Sequence, residues 1–517
     1  MTVEIIFGLD ATRLKAGDKQ SVIWNSADVV NPHVLMVGMS GSGKTHNLRR
    51  MVRQMQDSSS EPIRIHVFDV HGDIDIQDAS TVMFSEQTNY GLNPLFVNPH
   101  PHHGGVRKRI QSFLSILNRS RSIGTKQENV IRNLLTDLYA IHGFQANNPE
   151  SWIVDQDDVG LEVADGRLYL DVPYSDRELV KTLGAVWDGG SRKGWWVQAN
   201  RYVGSITQWS PRTTGRRQVT MTDLLDYART VQKRVFLGAN QQSIVCLETF
   251  HRAAKAHHKK MLESIKHNHG GASDNGDLDT QAALEKASQK AIETYSEYIL
   301  SVKTGDELDC YLRYDSAEVL KSVVDRLENL NSIGIFRSQM PPFDPNASVW
   351  RYHLKALSMD ERKLFVLFRL EELFLQGVQR GEQKQIRDVF VLDEAHAFCD
   401  DDPENIINTI ARESRKFGQA LIAASQAPNH FTEDFLTSVG TKFVLALDES
   451  YWDGAARKLR LDVKALEWIK PRQTCAVQIK SHSESKNAWK WVVLPKLKTD
   501  AAATVIAKEP PGHEEIA

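Results

Sequence analysis

The chain has 517 residues, 41% of them hydrophobic, a formal net charge of −3 and four cysteines. That length and apolar content can bury more than one typical domain core, while the near-neutral charge excludes any bulk electrostatic demand for nucleic acid and leaves such contacts to local patches. Cys246, Cys310, Cys399 and Cys475 show no paired spacing, which argues against a disulfide or structural-zinc framework and for a reducing compartment. With no apolar run near the ~18 residues of a membrane span and no signal-peptide order at the start, a cytoplasmic location is expected.

Residues 3–7 and 21–24 read as a pair of strands. The apolar run Val34-Leu35-Met36-Val37 then leads into Gly38-Met39-Ser40-Gly41-Ser42-Gly43-Lys44-Thr45 and a helix-like stretch from Asn47. Three glycines in that spacing let backbone N–H groups turn toward a phosphate at the positive end of the following helix. The alternative is a Gly-rich turn, and the strand-to-helix context favours the phosphate loop. Lys44 is then placed to reach the β and γ phosphates of a nucleoside triphosphate, and Thr45 to hold Mg²⁺.

Farther along, residues 107–139 alternate apolar and basic positions at helical spacing, a helical pair whose Arg119 and Arg121 suit either solvent or phosphate. Between 166 and 211 the composition changes, with Trp187, Trp195, Trp196 and Trp209 in under fifty residues against seven tryptophans elsewhere. This marks an inserted domain of strand, helix and hairpin, with Trp187 expected against Leu168 and Leu170. A domain this small needs most of its aromatics for its own core; exposed rings would instead suit unpaired bases, with Arg192, Lys193, Arg212, Arg216 and Arg217 suiting the backbone. Residues 220–340 read as helical around a loop at 267–277. His251, His257, His258, His267 and His269 lack a convergent metal-ligand spacing.

The second half supplies acids. Val389-Phe390-Val391-Leu392 is suited to a buried parallel strand and ends in Asp393-Glu394-Ala395-His396. Asp393 is placed to hold magnesium and Glu394 to polarise the attacking water; the alternative is a charge pair at a helix start. Residues 404–417 read as a helix with Ile406, Ile407, Ile410 and Ala411 on one face and Gly418 as its cap. Arg412 and Arg415 share another face, suited either to solvent or to reaching a phosphate in a neighbouring subunit as arginine fingers. A further strand at 421–424 closes on Ser425-Gln426, where Gln426 is a γ-phosphate sensor or simply a polar strand terminus. The tail from 499 is polar and expected to be mobile or partner-binding.

Four pieces, in this order, resemble the HerA-like branch of the HerA/FtsK ATPases, hexameric DNA-translocating motors. They are Asn31-Pro32-His33 before the phosphate loop, Val67-Phe68-Asp69-Val70-His71-Gly72, Leu392-Asp393-Glu394-Ala395-His396, and Ala411-Arg412-Glu413-Ser414-Arg415-Lys416-Phe417-Gly418 running into Ser425-Gln426. The resemblance covers about 30–100 and 345–495. It implies ATP bound by Gly38, Ser40, Gly41, Ser42, Gly43, Lys44 and Thr45, with Mg²⁺ on Thr45 and Asp393, Glu394 as catalytic base and Gln426 as sensor. It makes Arg415 the better match to the catalytic arginine, with Arg412 second, and puts Asp69 near the site. Only 37 residues precede Gly38, room for a strand pair and not for the β-barrel usual before this core. That compact start is more like ATPases attached to phage-defence and restriction systems. The insertion, from Arg167 to Val197, resembles a small domain of unknown function found beside plasmid primases.

The expected architecture is therefore α/β: a RecA-like P-loop core with a parallel sheet, strands near 34–37, 65–68, 389–392, 421–424 and 443–447, helical insertions and a small α+β insertion. The domains read as 1–160 and 346–498 for the core, 166–211 for the small domain, 218–345 for a helical insertion and 499–517 for a tail. The expected function is ATP-driven translocation of double-stranded DNA by a homo-oligomer, a hexamer by resemblance, serving a separately encoded nuclease or effector. The alternatives are a regulatory ATPase that assembles an effector without moving on DNA, and a conjugation or secretion ATPase.

Overall fold

A computed structural model of the chain describes residues 2–495 apart from 60, 121, 155–159, 162, 165, 171, 173–175, 191–192, 199–200, 204, 207–208, 210, 215–216, 238–240, 269–273, 303–312, 315–316 and 485–486. Arg121, Arg192, Arg216, Cys310, His269 and the 499–517 tail lie outside the described residues. The chain divides into two compact units, one of 1–94, 115–122 and 330 onward, the other of 95–114 and 123–329.

The first unit is built on an eleven-stranded sheet whose strands are β1 (Glu4–Asp10), β2 (Ser21–Asn25), β3 (Val34–Val37), β4 (Arg64–Asp69), β5 (Ser80–Met83), β6 (Val349–His353), β7 (Asp388–Leu392), β8 (Gln419–Ser425), β9 (Thr441–Val444), β10 (Thr474–Ile479) and β11 (Trp489–Val493). Their spatial order is β2-β1-β11-β10-β9-β3-β8-β7-β4-β6-β5. From β9 to β5 every pairing is parallel, and the flank from β10 to β2 is antiparallel. Parallel strands are covered on both faces, which is why β3, β7 and β8 are buried at every position and read as unbroken apolar runs. Each predicted strand of the core is present, the one read at 443–447 forming earlier, at Thr441–Val444. The predicted strand pair at the start is present as β1 against β2, and β1 also hydrogen-bonds β11, so the pair extends the same sheet.

One face of the sheet packs Val34, Met36, Val67, Val391 and Ile422 against Leu48, Met51, Val52 and Met55 of the Lys44–Ser58 helix. The Asn31-Pro32-His33 lead-in fixes the start of β3. Asn31 donates to the Ser438 carbonyl at 2.7 Å and accepts from the His33 N–H at 3.0 Å. The His33 ring, fully buried, accepts the Leu421 N–H at Nδ1, 3.0 Å away, a role open only to the unprotonated nitrogen; burial, with Arg415 adding, depresses its pKa to about 3. The helix expected over 404–417 begins later, as Ile406–Glu413 capped by the Asn405 side chain, and tightens into a 3₁₀ turn, Ser414–Phe417, that ends on Gly418 at φ 71°.

The second unit is mainly helical, with Thr125–Ile141, Met221–Leu237, Gln241–Asn268 and Asp274–Ser301 among its helices. Of the loop expected over 267–277, residues 267–268 and 274–277 are helical instead, and 269–273 lie outside the described residues. The insertion forms a four-stranded antiparallel sheet in the order 163–164, 167–170, 194–198, 186–188, with the Arg177–Thr182 helix. Its core gathers Leu168, Leu170, Val180, Val197 and Trp209. Trp187 is not in that core: it is 52% exposed and touches Trp195. The short strand Val186–Asp188 lies at the sheet edge, and Trp209 fills the interior instead.

Candidate nucleotide-binding site

Because seven neighbouring strands run parallel, their carboxyl ends open on one edge, the usual place for a ligand in such a sheet. The loop after β3 sits there. Gly43, at φ 106°, caps the Lys44–Ser58 helix, a backbone conformation that favours glycine. Gly38 is required by space: a Cβ there would meet Ser42 Oγ at 2.5 Å and Leu445 Cβ at 2.8 Å. The loop therefore closes tightly around the first turn of the helix. A cavity of about 690 Å³ follows, lined by Ser40, Gly41, Gly43, Lys44 and Thr45 from the loop, His71 and Asp73 after β4, Asp393 and Glu394 after β7, and Gln426 after β8.

Within it, Lys44 Nζ donates to the carbonyls of Gly38 at 2.8 Å and Met39 at 3.4 Å and stands 4.0 Å from Glu394 Oε1. Glu394 has φ 48°, the left-handed region, which costs a side-chain-bearing residue roughly 1–3 kcal/mol. Asp393 is 3% exposed. Burial first, then the charges of Glu394, Asp73 and Asp69, push its pKa up to about 6 against the opposing effect of His71. Thr45 Oγ1 donates to Asp73 Oδ2 at 3.3 Å, and Asp69, Asp73 and Asp393 bring ligand atoms within 4.8 Å of one another. An all-oxygen carboxylate set of this kind fits a hard divalent cation such as Mg²⁺.

The sequence-predicted residues divide into groups. Ser40, Gly41, Gly43, Lys44, Thr45, Asp393, Glu394 and Gln426 meet around the cavity, with Gly38 and the fully buried Ser42 shaping the loop behind them. Asp69 is buried and does not line the cavity; its carboxylate accepts from the Gly72 and Ile74 N–H groups at 2.7 and 3.1 Å and from Arg351 Nε at 2.9 Å. It thus holds the loop that presents His71 and Asp73. Arg412 and Arg415 are exposed and outside the cavity lining, Arg412 donating to the Pro403 carbonyl at 2.6 Å.

Asp73 and Arg472 are among the cavity residues that escaped the sequence reading. Asp73 lies one residue beyond the Val67–Gly72 motif, and only the adjacency of β4 to β7 reveals its place beside Asp393. Arg472 comes from a turn far along the chain: its N–H donates to the Ser42 carbonyl and its Nε to that of Gly41, each at 3.2 Å. Nothing local in its sequence marks it.

Fold and site together define a P-loop core of RecA-like fold built to bind a nucleotide. Residues 12–103 match the family model "Helicase HerA, central domain". Over 81 residues the chain is 37% identical to the DNA double-strand break repair helicase HerA of Pyrococcus furiosus, a match covering 14% of this chain and 15% of that protein. Among solved structures, VirB4 of Thermoanaerobacter pseudethanolicus superposes with a TM-score of 0.53 at 11% identity over 96% of both chains, a likeness of fold. The plasmid coupling protein TrwB, solved with ADP and Mg²⁺, gives a TM-score of 0.45 at 10% identity over 98% of this chain and 95% of that one. Residues 167–211 match a domain of unknown function, DUF5710. Among the described residues no helix is long and apolar enough to cross a membrane.

Proposed function

We propose that this chain hydrolyses ATP with Mg²⁺ to move double-stranded DNA, working as a homo-oligomeric ring, a hexamer in our reading, for a separately encoded nuclease or effector of DNA processing or phage defence. The observation that carries the reading is the convergence of Lys44, Thr45, Asp393, Glu394 and Gln426 on one cavity while Arg412 and Arg415 stay exposed outside it. Arg50 and Arg472 line the cavity from within the subunit; in our reading the exposed Arg415, with Arg412 second, is offered to the cavity of a neighbour in the ring.

In this reading Lys44 exchanges the carbonyls of Gly38 and Met39 for phosphate oxygens, and the loop N–H groups fix the phosphate chain. Asp393, Thr45 and Asp73 hold the cation, which when bound offsets charge on the transferred phosphoryl group. Glu394 polarises a water in line with that group, and Gln426 orients it from the neighbouring strand end. The whole-ring test is displacement of a third strand from duplex DNA by the assembled protein with its partner. Displacement that needs ATP supports a motor; DNA-stimulated turnover without displacement assigns the chain to regulatory assembly instead.

A further inference from the structure

The insertion holds a feature that ATP chemistry leaves unused. Trp187 is 52% and the adjacent Val186 50% exposed, on an edge strand. Trp187 is paired opposite Trp195 and its ring is braced by that neighbour at 5.5 Å and 64°. Trp195 in turn packs on the Leu168, Leu170 and Val197 core. The outer side of the Trp187 indole is thus rigidly offered to solvent, at a cost in water-exposed apolar area that the small domain's own folding does not require.

Its electrostatics differ from those of the chain as a whole. Residues 167–212 carry seven Lys/Arg against four Asp/Glu, a net of +3 in a chain of −3. Three of those acids face inward or are paired: Asp176 accepts from Trp209 Nε1 at 3.0 Å, Asp188 from the Tyr169 hydroxyl at 2.7 Å, and Glu178 lies 3.6 Å from Arg177. Arg167, Lys181, Lys193 and Arg201 are exposed. A braced aromatic ring among outward cations suits a polyanion that also presents a flat apolar face.

From this we propose that the insertion is a binding site for single-stranded DNA, with an unpaired base stacked on Trp187 and the phosphates held by the cations, Lys193 of the same hairpin foremost. A duplex hides its base faces in its own stack and cannot use the ring. The choice of DNA over RNA rests on the proposed function of the core; the ring and the charges do not depend on it.

The test uses the full chain and fluorescent 20-nucleotide oligothymidine, oligouridine and blunt duplex, with ATP turnover in the absence of DNA measured on the same preparations. Trp187→Ala should weaken oligothymidine binding roughly 5- to 150-fold and leave duplex binding and basal turnover unchanged. Lys193→Gln should lower the slope of log affinity against log salt by about 0.7. Trp187→Phe keeps a ring and should bind within about threefold of the wild type, while losing part of the tryptophan quenching that oligothymidine causes; this variant decides the matter if the alanine form melts early. Oligothymidine binding by Trp187→Ala within twofold of wild type, quenching unchanged in Trp187→Phe, or an equal loss of duplex binding in Trp187→Ala would each overturn the site. Tighter binding of oligouridine overturns the assignment to DNA. Intact strand binding in a wild type without ATP turnover would sink the motor reading and leave this site standing.

Discussion

His396 Nδ1 lies 3.3 Å from Glu394 Oε2, on the opposite side of the carboxylate from Lys44. The same nitrogen is 3.2 Å from Ser425 Oγ, which also lies 3.1 Å from His430 Nδ1, and the two imidazole centroids lie 4.6 Å apart with the rings tilted by 34°. Ser425 immediately precedes Gln426, so the carboxylate after β7 and the amide after β8 share one small polar cluster. Burial lowers the pKa of His396, with Lys44 adding and Glu394 opposing, so the ring acts as a neutral spacer rather than a counter-charge.

If His396 sets the direction of Glu394, then His396→Ala should lower kcat for ATP on the order of 10- to 100-fold, as misplacement of a reacting group does, with KM for ATP changed by less than about threefold. His396→Asn, which keeps a polar atom near the ring position, should recover part of the loss. Equal losses in both variants, or a loss confined to KM, would remove the positioning role.

Lys44→Ala removes the point charge facing the phosphates and should abolish nucleotide binding, read with a fluorescent ATP analogue. Glu394→Gln keeps the shape and the nucleotide but should stall hydrolysis by roughly 10²- to 10⁴-fold, the usual worth of a general base. Normal turnover in purified Glu394→Gln would take that residue out of its assigned role.

Asp73 is predicted to hold the cation together with Thr45 and Asp393. Asp73→Asn should raise the Mg²⁺ concentration for half-maximal turnover about 10- to 100-fold and leave nucleotide binding without metal unchanged. An unaltered Mg²⁺ titration would restrict Asp73 to ordering the Thr45 hydroxyl.

How much of this was legible follows from what is local. The phosphate loop, the Asp393-Glu394 strand end and the sheet strands are each contiguous patterns: glycines where the backbone turns, then a run of β-branched and aliphatic residues buried on both faces. Asp73 and Arg472 were not legible, because their place depends on which strand ends are neighbours and on a turn more than 400 residues from the loop it touches. Trp187 was misjudged for a related reason. Composition says that a small domain needs aromatics inside, but which ring goes inside depends on which strand is the edge, and the edge strand is set by pairing that the sequence does not display. The Asn-Pro-His lead-in had been quoted only as a resemblance; its buried hydrogen bonds to β8 and to Ser438 give it a structural reason.

His33 also sets a pH dependence. Folded, it stays neutral down to about pH 3, whereas the unfolded side chain takes up a proton near 6.5. The stability it contributes is therefore fully present above about pH 6.5 and is lost as pH falls toward 3, by up to about 1.4 kcal/mol per pH unit. Buried His66 is lowered in the same direction. Thermal melts from pH 7.5 to 4 should show His33→Gln less stable than wild type at pH 7.5 but with a shallower fall toward pH 4. Parallel curves for the two proteins would place the acid sensitivity elsewhere.

The arginines give the most demanding prediction. Arg415 is exposed on the 3₁₀ turn ahead of β8, and Arg412 on the helix before it; neither lines its own subunit's cavity. If Arg415 serves a neighbour, Arg415→Ala should lose roughly 10³- to 10⁵-fold in turnover while binding ATP normally, and Arg412→Ala should lose less. A mixture then separates a trans role from a structural one. Lys44→Ala subunits have a dead cavity and an intact Arg415, whereas Arg415→Ala subunits have an intact cavity and no finger. Co-assembled, they should recover measurable hydrolysis at the mixed interfaces, and the activity should fall on dilution as the ring dissociates. Mixed rings, verified by mass, that remain as inactive as either parent would show that Arg415 does not act across the subunit boundary.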